Sequence, residues 1–268
     1  MSQRRISESD PGPAGEGRDQ PLDRAFAILG AISTASGPAS VTDLATQCDL
    51  PVPTVHRLVL QLERRGLLKR VLGTKKVVVG YGLVQLGAAA LEAALRSDRS
   101  HQILVSLATE LGEHCQIGVR TGNEVLYVDS AQAVRSTGLH FQQGRRAPLH
   151  CTSIGKLYLA EMTDNELVSW LSHAHLEAVT PKTVTKPSAI RTLVATVRSA
   201  GWATSNEEVA AGVVGCAVPI RAENGLLVAG LGISVPSARV SYKQISRFRA
   251  PLERAAVTIA RSIVMADE

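Results

Sequence analysis

The pattern of apolar and polar positions between residues 40 and 76 changes its period part-way along. Over 41–48 and 53–65 apolar residues recur every three or four positions, which predicts two short helices separated by a tight turn at Leu50–Pro51. Two short β-prone runs then flank 72–76, a segment with one glycine and two lysines, and predict a hairpin. Helix, turn, helix and hairpin in that order predict a winged helix-turn-helix.

Start and stop signals bound these two helices. Ser40 and Asp43 have the spacing of a capping box, in which each side chain binds a backbone N–H at the helix start. Pro53 suits the first turn of the second helix, and Gly66 is a stop signal.

The second helix has faces of opposite character. Val55, Leu58, Val59 and Leu62 share one side and predict a core-facing stripe. The polar side and the hairpin tip carry donors and acceptors that suit base edges and phosphates. The predicted DNA contacts are Thr54, His56, Arg57, Gln61, Arg64, Lys75 and Lys76. For His56, packing against the neighbouring helix is an equal alternative, because it lies on the side of the helix away from Thr54.

Positive charge is concentrated in the same segment. Residues 51–76 contain seven basic residues and one acidic residue, Glu63, which gives a net charge of +6, whereas the whole chain carries +5. The rest of the chain is therefore close to neutral. A patch of this sign attracts a phosphate backbone. The alternative is a solvated basic face on an ordinary helix.

Composition sets the outer limits. With 268 residues, 45% hydrophobic and 20% charged, the chain is long enough for two globular domains. It has no apolar run long enough for a membrane span, and residues 1–20 lack the apolar centre of a signal peptide. Four cysteines without a C-x-x-C pair indicate a reducing compartment. We therefore expect a cytoplasmic protein without a membrane partner.

The chain divides into four predicted segments. Residues 1–20 are rich in Ser, Gly, Pro and charges, which predicts a disordered tail. The winged helix-turn-helix then occupies 21–81 and includes a helix from about Leu22. Residues 82–98 predict a linker helix rich in small residues that can pack on a copy of itself, and paired half-sites favour such a dimer. The segment 99–268 predicts a second domain.

That second domain is predicted to be α+β, with an antiparallel sheet flanked by helices. After a helix over 103–111, two hairpins are expected from the strand pairs 115–120 with 124–130 and 216–221 with 226–235. Further helices are expected at 153–161, 164–171, 188–200 and 241–265.

Several blocks of the chain resemble the IclR family of bacterial transcriptional regulators. They are Leu22-Asp23-Arg24-Ala25, the run 54–58, the run 144–156, and Gly201-Trp202 followed by Glu207-Glu208 and Gly212. The likeness runs from about residue 21 to the C-terminus. It implies a winged-helix domain, a linker helix and a GAF-like effector-binding domain, assembled as homodimers or homotetramers. The implied ligands are small organic metabolites, often carboxylates or aromatic acids.

The start of the helix at 153 is the predicted effector site. Thr152 or Ser153 can cap it, and the N–H groups of Ser153, Ile154 and Gly155 then suit a carboxylate. The alternative is a capped structural helix. The resemblance adds Ser205, Asn206, Glu207, Cys216 and Ser234 as contacts. Gly215 and Gly232 replace a cysteine and a serine that are usual there, which predicts a roomier or less polar pocket and puts a small pyruvate-like ligand in doubt. A larger, partly apolar acid or a neutral ligand is the alternative.

Other classes of function remain as alternatives. The adjacent pairs His114-Cys115 and His150-Cys151 could form a thiol nucleophile with its base, but neighbours in sequence rarely reach that geometry. The cysteines with His140, His173 and His175 show no metal-ligand spacing. We therefore expect neither an enzyme nor a cofactor. A sensor that acts only through protein partners is the other alternative.

Overall fold

The computed structural model describes residues 20–35, 37–133 and 144–264. The chain forms two compact units that divide between Ala89 and Ala90. The disordered tail predicted over 1–20 lies outside the described residues except for Gln20. No helix in the described ranges has the length and hydropathy needed to cross a bilayer.

The first unit is a small helical domain with its own core. Its helices are α1 (Pro21–Thr34), α2 (Val41–Cys48) and α3 (Val52–Arg64). The predicted stripe of α3 is buried against Ile28 and Ile32 of α1 and Leu44 of α2. Burial of these side chains stabilises the unit by about 1.5–3 kcal/mol each.

Both ends of α2 have a clear local cause. The Ser40 N–H donates to Asp43 Oδ2 at 2.9 Å and the Asp43 N–H donates to Ser40 Oγ at 3.1 Å, so the predicted capping box is present. The helix ends at Cys48, as predicted, and Asp49 after it adopts a left-handed conformation with φ 53°. Aspartate tolerates that conformation better than most residues.

A hairpin follows α3, as predicted. Strands β1 (Leu68–Arg70) and β2 (Val77–Val79) pair antiparallel, and Ala39 adds a bridge to Val77 through hydrogen bonds of 3.0 and 2.8 Å. Gly80 turns the chain close to the end of α3, where a Cβ would lie 2.2 Å from Gly66 O. The winged helix-turn-helix is therefore confirmed.

Helix α4 (Tyr81–Leu95) runs across the division between the units. Its last residue, Leu95, is buried in the core of the second unit. Earlier in the helix Val84 and Leu86 are 56% and 61% exposed. Most of this apolar helix is thus uncovered in the single chain.

The second unit contains a six-stranded antiparallel sheet in the order β5-β4-β3-β8-β7-β6. The elements in chain order are α5 (Asp98–Leu111), β3 (His114–Thr121), β4 (Glu124–Ala131), β5 (Arg146–Pro148), α6 (Ser153–Glu161), α7 (Asp164–His173), α8 (Pro187–Ala200), β6 (Ala203–Asn206), β7 (Val213–Arg221), β8 (Leu227–Pro236), a 3-10 helix (Tyr242–Phe248) and α9 (Arg249–Val264).

Helices cover both faces of this sheet. One core lies between the sheet and α5 with α9, and a second lies between the sheet and α6 to α8. The α+β class and both hairpins are confirmed. The edge strands β5 and β6 were not predicted. The helix expected over 241–265 is two elements, because Pro251 fits only the first turn of a helix and so fixes where α9 begins.

Candidate nucleic-acid interface and effector site

The outward face of α3 is polar and basic. Arg57, Gln61 and Arg64 are exposed, and Thr54 is half-buried. His56 is exposed too, so the alternative that it packs against a neighbouring helix is not met within the chain. Donors on a protruding helix of this kind can reach base edges in a major groove.

Leu60 also lies on this face and was missed by the sequence reasoning. Its side chain is 38% exposed. Leu60 lies seven residues after Pro53, three after Arg57 and four before Arg64, so the four side chains share one side of the helix. These four exposed residues form a line opposite the buried stripe. The sequence alone could have indicated this, because Leu60 does not share the helical spacing of the core residues Val55 and Leu62.

Glu63, the acidic residue of the basic segment 51–76, forms an ion pair within the first unit. Arg70 holds Glu63 with two hydrogen bonds, Nε to Oε1 at 3.0 Å and NH2 to Oε2 at 2.8 Å. This bidentate pair ties β1 to α3. Six exposed cations remain in the unit's basic segment: Arg57, Arg64, Arg65, Lys69, Lys75 and Lys76. The basic surface is therefore not cancelled by Glu63.

The second site is a small cavity at the start of α6. It encloses about 20 Å³, which is room for about one water molecule. Its lining consists of Gln116, Tyr127, Thr152, Ser153, Ser205, Val209, Val213, Gly215 and Ser234. Most of these residues bring a polar side chain, so the structure shows neither the roomier nor the less polar pocket that the sequence predicts.

Thr152 is the residue that caps α6. Its Oγ1 accepts the Gly155 N–H at 2.8 Å. That leaves the N–H groups of Ser153 and Ile154 as first-turn donors outside the helix hydrogen bonds. Gly155 has a packing role instead, since a Cβ there would lie 2.2 Å from Leu149 O.

The side chain of Ile154 does not face the cavity. It is 1% exposed and fills the space above Gly118, Gly230 and Gly232, where any added Cβ would meet it within 3.4 Å. Of the predicted contacts at this residue, only the backbone N–H can serve a ligand.

Ser205 and Ser234, two of the predicted effector contacts, line the cavity. Ser205 Oγ donates to Cys151 O at 3.1 Å, and Gln116 Nε2 donates to Ser234 Oγ at 2.9 Å. Gln116 Oε1 is buried and has no hydrogen-bond partner among the described residues. Gln116 was missed, although a glutamine inside the apolar strand 115–119 was a usable signal.

Besides Ile154 and Gly155, three further predicted effector residues lie outside the cavity lining. Cys216 is fully buried in the core on the α5 and α9 side of the sheet, with Sγ 3.8 Å from Ile245 O. Glu207 has φ 57° and binds Lys182 Nζ at 2.6 Å and the Gly212 N–H at 3.0 Å. Asn206 is half-buried at the end of β6. None of these three residues lines the cavity.

A buried ion pair fixes one wall of this region. Lys156 Nζ lies 2.6 Å from Glu208 Oε1 and 2.9 Å from Thr204 O, and the two charged side chains are 4% and 8% exposed. The pair links α6 to β6 and the turn after it. A surface groove of about 410 Å³ runs beside it, bordered by Trp202 and Leu193.

The thiol and imidazole pairs lack the features of a nucleophile. Burial raises the pKa of Cys151 to about 12, and burial also raises the pKa of Cys115. Burial lowers the pKa of His150, whose Nε2 lies 3.0 Å from Glu177 O. A protonated thiol is a poor nucleophile. Across the described ranges no group of three potential metal ligands occurs, and His140 lies outside those ranges.

A winged helix-turn-helix joined to an α+β domain with a small polar cavity defines a ligand-responsive transcriptional regulator. Two family models match the chain: the IclR helix-turn-helix domain over residues 21–72 and the bacterial transcriptional regulator IclR C-terminal domain over residues 90–261. The chain therefore belongs to the IclR family of transcriptional regulators, which combine a DNA-binding head with an effector-binding C-terminal domain.

Named relatives agree with this assignment. The chain is 32% identical over 233 residues to the probable transcriptional regulator SauR of Cupriavidus necator, covering 87% of this chain and 92% of that protein. It is 27% identical over 248 residues to the transcriptional repressor IclR of Escherichia coli, covering 91% and 90%.

Solved structures show the same fold. IclR of Thermotoga maritima matches with a TM-score of 0.58 and 29% identity over 90% of this chain and 98% of that one. An IclR homologue from Microbacterium hydrocarbonoxydans, complexed with 4-hydroxybenzoate, matches with a TM-score of 0.56 and 27% identity over 92% and 100%.

Proposed function

We propose that this protein binds operator DNA as a homodimer or homotetramer through α3 and the β1–β2 hairpin, and that a small organic acid bound at the start of α6 changes that binding. The observation that carries the first half is the set of six exposed cations on one small unit. Repression or activation follows from where the operator lies relative to the promoter.

The proposed DNA contacts divide by chemistry. Thr54, His56, Arg57 and Gln61 would contact base edges, while Arg64, Lys75 and Lys76 would contact phosphates. One short helix reads only a few base pairs, so two heads on paired half-sites supply the specificity that one head lacks. Because its partner would be chromosomal DNA, we place the protein in the bacterial cytoplasm.

The proposed effector is a small carboxylate that carries a hydroxyl group. The first-turn N–H groups of Ser153 and Ile154 suit the carboxylate. A hydroxyl would donate to the unpartnered Gln116 Oε1, with Ser205 and Ser234 beside it. The neighbour complexed with 4-hydroxybenzoate supports an aromatic acid of this kind.

The small volume of the cavity would couple ligand binding to a conformational change. A cavity of about 20 Å³ cannot hold an aromatic acid, so binding requires the walls around α6 and β6 to separate. A ligand that binds only the wider form shifts the population toward it, by as much as its affinities for the two forms differ.

Footprinting on the DNA that flanks the protein's own gene tests the first half. We expect a protected tract whose affinity falls steeply with salt, and an Arg57→Ala variant that binds about 1–3 kcal/mol more weakly. Absence of protection at low ionic strength would favour the alternative of a sensor that acts through protein partners.

Thermal denaturation tests the second half. We expect 4-hydroxybenzoate or a related hydroxy acid to raise the melting temperature of the wild type by mass action. The Gln116→Leu variant should lose this shift while it keeps its DNA binding. An equal shift in both proteins would place the ligand elsewhere.

A further inference from the structure

The tip of the β1–β2 hairpin displays a leucine to solvent. Leu72 is 95% exposed, more than any other large apolar side chain in the described ranges. Scattered surface apolar residues are common. An aliphatic side chain at the apex of a hairpin, with no neighbour that covers it, gives the folded chain no burial energy.

The turn that carries Leu72 is firmly held. The Val71 N–H donates to Lys76 O at 3.0 Å and the Thr74 N–H donates to Val71 O at 3.1 Å. Thr74 Oγ1 donates to Val71 O at 3.1 Å and accepts the Lys76 N–H at 3.2 Å. Gly73 supplies the left-handed position, with φ 73°. The turn therefore presents Leu72 as a fixed knob.

The surroundings of this knob are basic. Lys69, Lys75 and Lys76 are exposed, and the sequence has no acidic residue between Glu63 and Glu92. A second copy of the same tip would bring like charges together. A fitting partner combines negative charge with a narrow recess that has apolar walls, and the minor groove of DNA has deoxyribose C–H groups along its walls between two rows of phosphates.

We propose that Leu72 enters the minor groove next to the major groove read by α3, and that it favours A·T pairs there. This inference rests on the proposed DNA binding. Guanine carries an amino group, N2, that projects into the minor groove and would obstruct an apolar side chain, whereas A·T pairs present only acceptors on an open floor. Lys75 and Lys76 would hold the flanking phosphates.

The first test compares side chains on the footprinted operator at fixed salt. We expect Leu72→Ser to weaken binding about 5- to 20-fold, the effect of losing one buried aliphatic contact. The dependence on salt should be unchanged, because no phosphate contact is lost. Leu226→Ser is the matched control, since Leu226 is 63% exposed near the β7–β8 turn of the other unit. It should bind like the wild type.

The second test changes the DNA. Operators are prepared with A·T, inosine·cytosine or G·C pairs beside each half-site. Inosine lacks the N2 amino group but keeps the major-groove pattern of guanine. We expect the wild type to bind the first two alike and the G·C operator more weakly, and Leu72→Ser to bind all three alike.

The outcomes separate this inference from the proposed function. If Leu72→Ser binds with wild-type affinity, or still discriminates against G·C, the minor-groove role of Leu72 fails while DNA binding stands. If Leu72→Ser changes the oligomeric state without DNA, the knob contacts a second copy and the inference also fails. If the wild type binds no operator at all, the proposed function itself fails. Equal melting temperatures of variant and wild type confirm that folding is unaffected.

Discussion

Lys156 and Glu208 form the ion pair whose disruption should lower the stability of the protein most. Both side chains are almost fully buried, with Nζ and Oε1 2.6 Å apart. Loss of one partner leaves the other charge buried and uncompensated. We expect Lys156→Met to destabilise the second unit by about 3–5 kcal/mol, and the double change with Glu208→Leu to recover much of that loss. Chemical denaturation of the three proteins measures the difference.

The pair Lys182–Glu207 provides the control for this prediction. It has the same 2.6 Å separation, but its side chains are 53% and 22% exposed. Solvent screening weakens this pair, so Lys182→Met should destabilise the protein far less than Lys156→Met does. Equal losses at the buried and the exposed lysine would show that burial of Lys156 is not what matters.

We expect Leu60 to add an apolar contact to the DNA-binding face that we propose for α3. It lies between Arg57 and Arg64 on the outward line, where an aliphatic side chain suits a thymine methyl group. We expect uracil-for-thymine substitution at one operator position to weaken wild-type binding by about 0.8 kcal/mol, the value of one buried methyl-sized group. The Leu60→Gln variant should not respond to that substitution. A response of equal size in the variant would remove Leu60 from the readout.

At the scale of elements, the start of α2 depends on one carboxylate. The Ser40 N–H and then the Ser40 hydroxyl lower the pKa of Asp43. A carboxyl whose pKa is lower in the folded state stabilises above its unfolded pKa of about 4, and that contribution disappears as pH falls through the folded value. We expect Asp43→Asn to lower the stability of the first unit at pH 7 and to have a shrinking effect below about pH 4.

Ser40→Ala is the companion to that measurement. Loss of the cap hydroxyl should itself cost about 0.5–2 kcal/mol. The variant loses the hydroxyl that helps to lower the Asp43 pKa but keeps the backbone N–H that donates to Asp43 Oδ2, so the pH dependence of the Asp43→Asn effect should become smaller without disappearing. A pH profile that Ser40→Ala leaves unchanged would show that the backbone N–H alone sets the Asp43 pKa.

Element bounds were predictable where local chemistry defines them. The helix expected over 153–161 is found at Ser153–Glu161, because Thr152 offers a cap and an apolar pattern follows it. The strands β5 and β6 have three and four residues. They are too short to show alternation, and only pairing with β4 and β7 makes them strands. The split before α9 is explained by Pro251, which fits only the first turn of a helix.

The effector site was harder to predict, for a reason of strand geometry. Cys216 follows the position where a cysteine was expected by one residue. Successive side chains of a strand point to opposite faces, so that shift moves the thiol to the α5 and α9 side and leaves Gly215 at the cavity. Sequence spacing located a strand that lines the cavity, while the face of that strand required the register of β7 with β8.

At the scale of the whole molecule, α1 and the first half of α4 expose apolar side chains that a single chain does not cover. Leu22 and Phe26 of α1 are 65% and 64% exposed, and Val84 and Leu86 of α4 are 56% and 61% exposed. Patches of this kind mark association surfaces. They are the surfaces through which we propose that two reading heads pair.

A charge placed on α4 tests this pairing. We expect the wild type to elute as a dimer or tetramer in size-exclusion chromatography with light scattering, and Leu86→Lys to reduce its mass. Gln85→Lys is the control, because it adds the same charge to a neighbouring exposed position of the same helix outside the apolar set. Leu86→Lys should also weaken binding to a two-half-site operator far more than to a single half-site, since one head would then bind without the other. A monomeric wild type, or equal effects of the two lysines, would contradict pairing through α4.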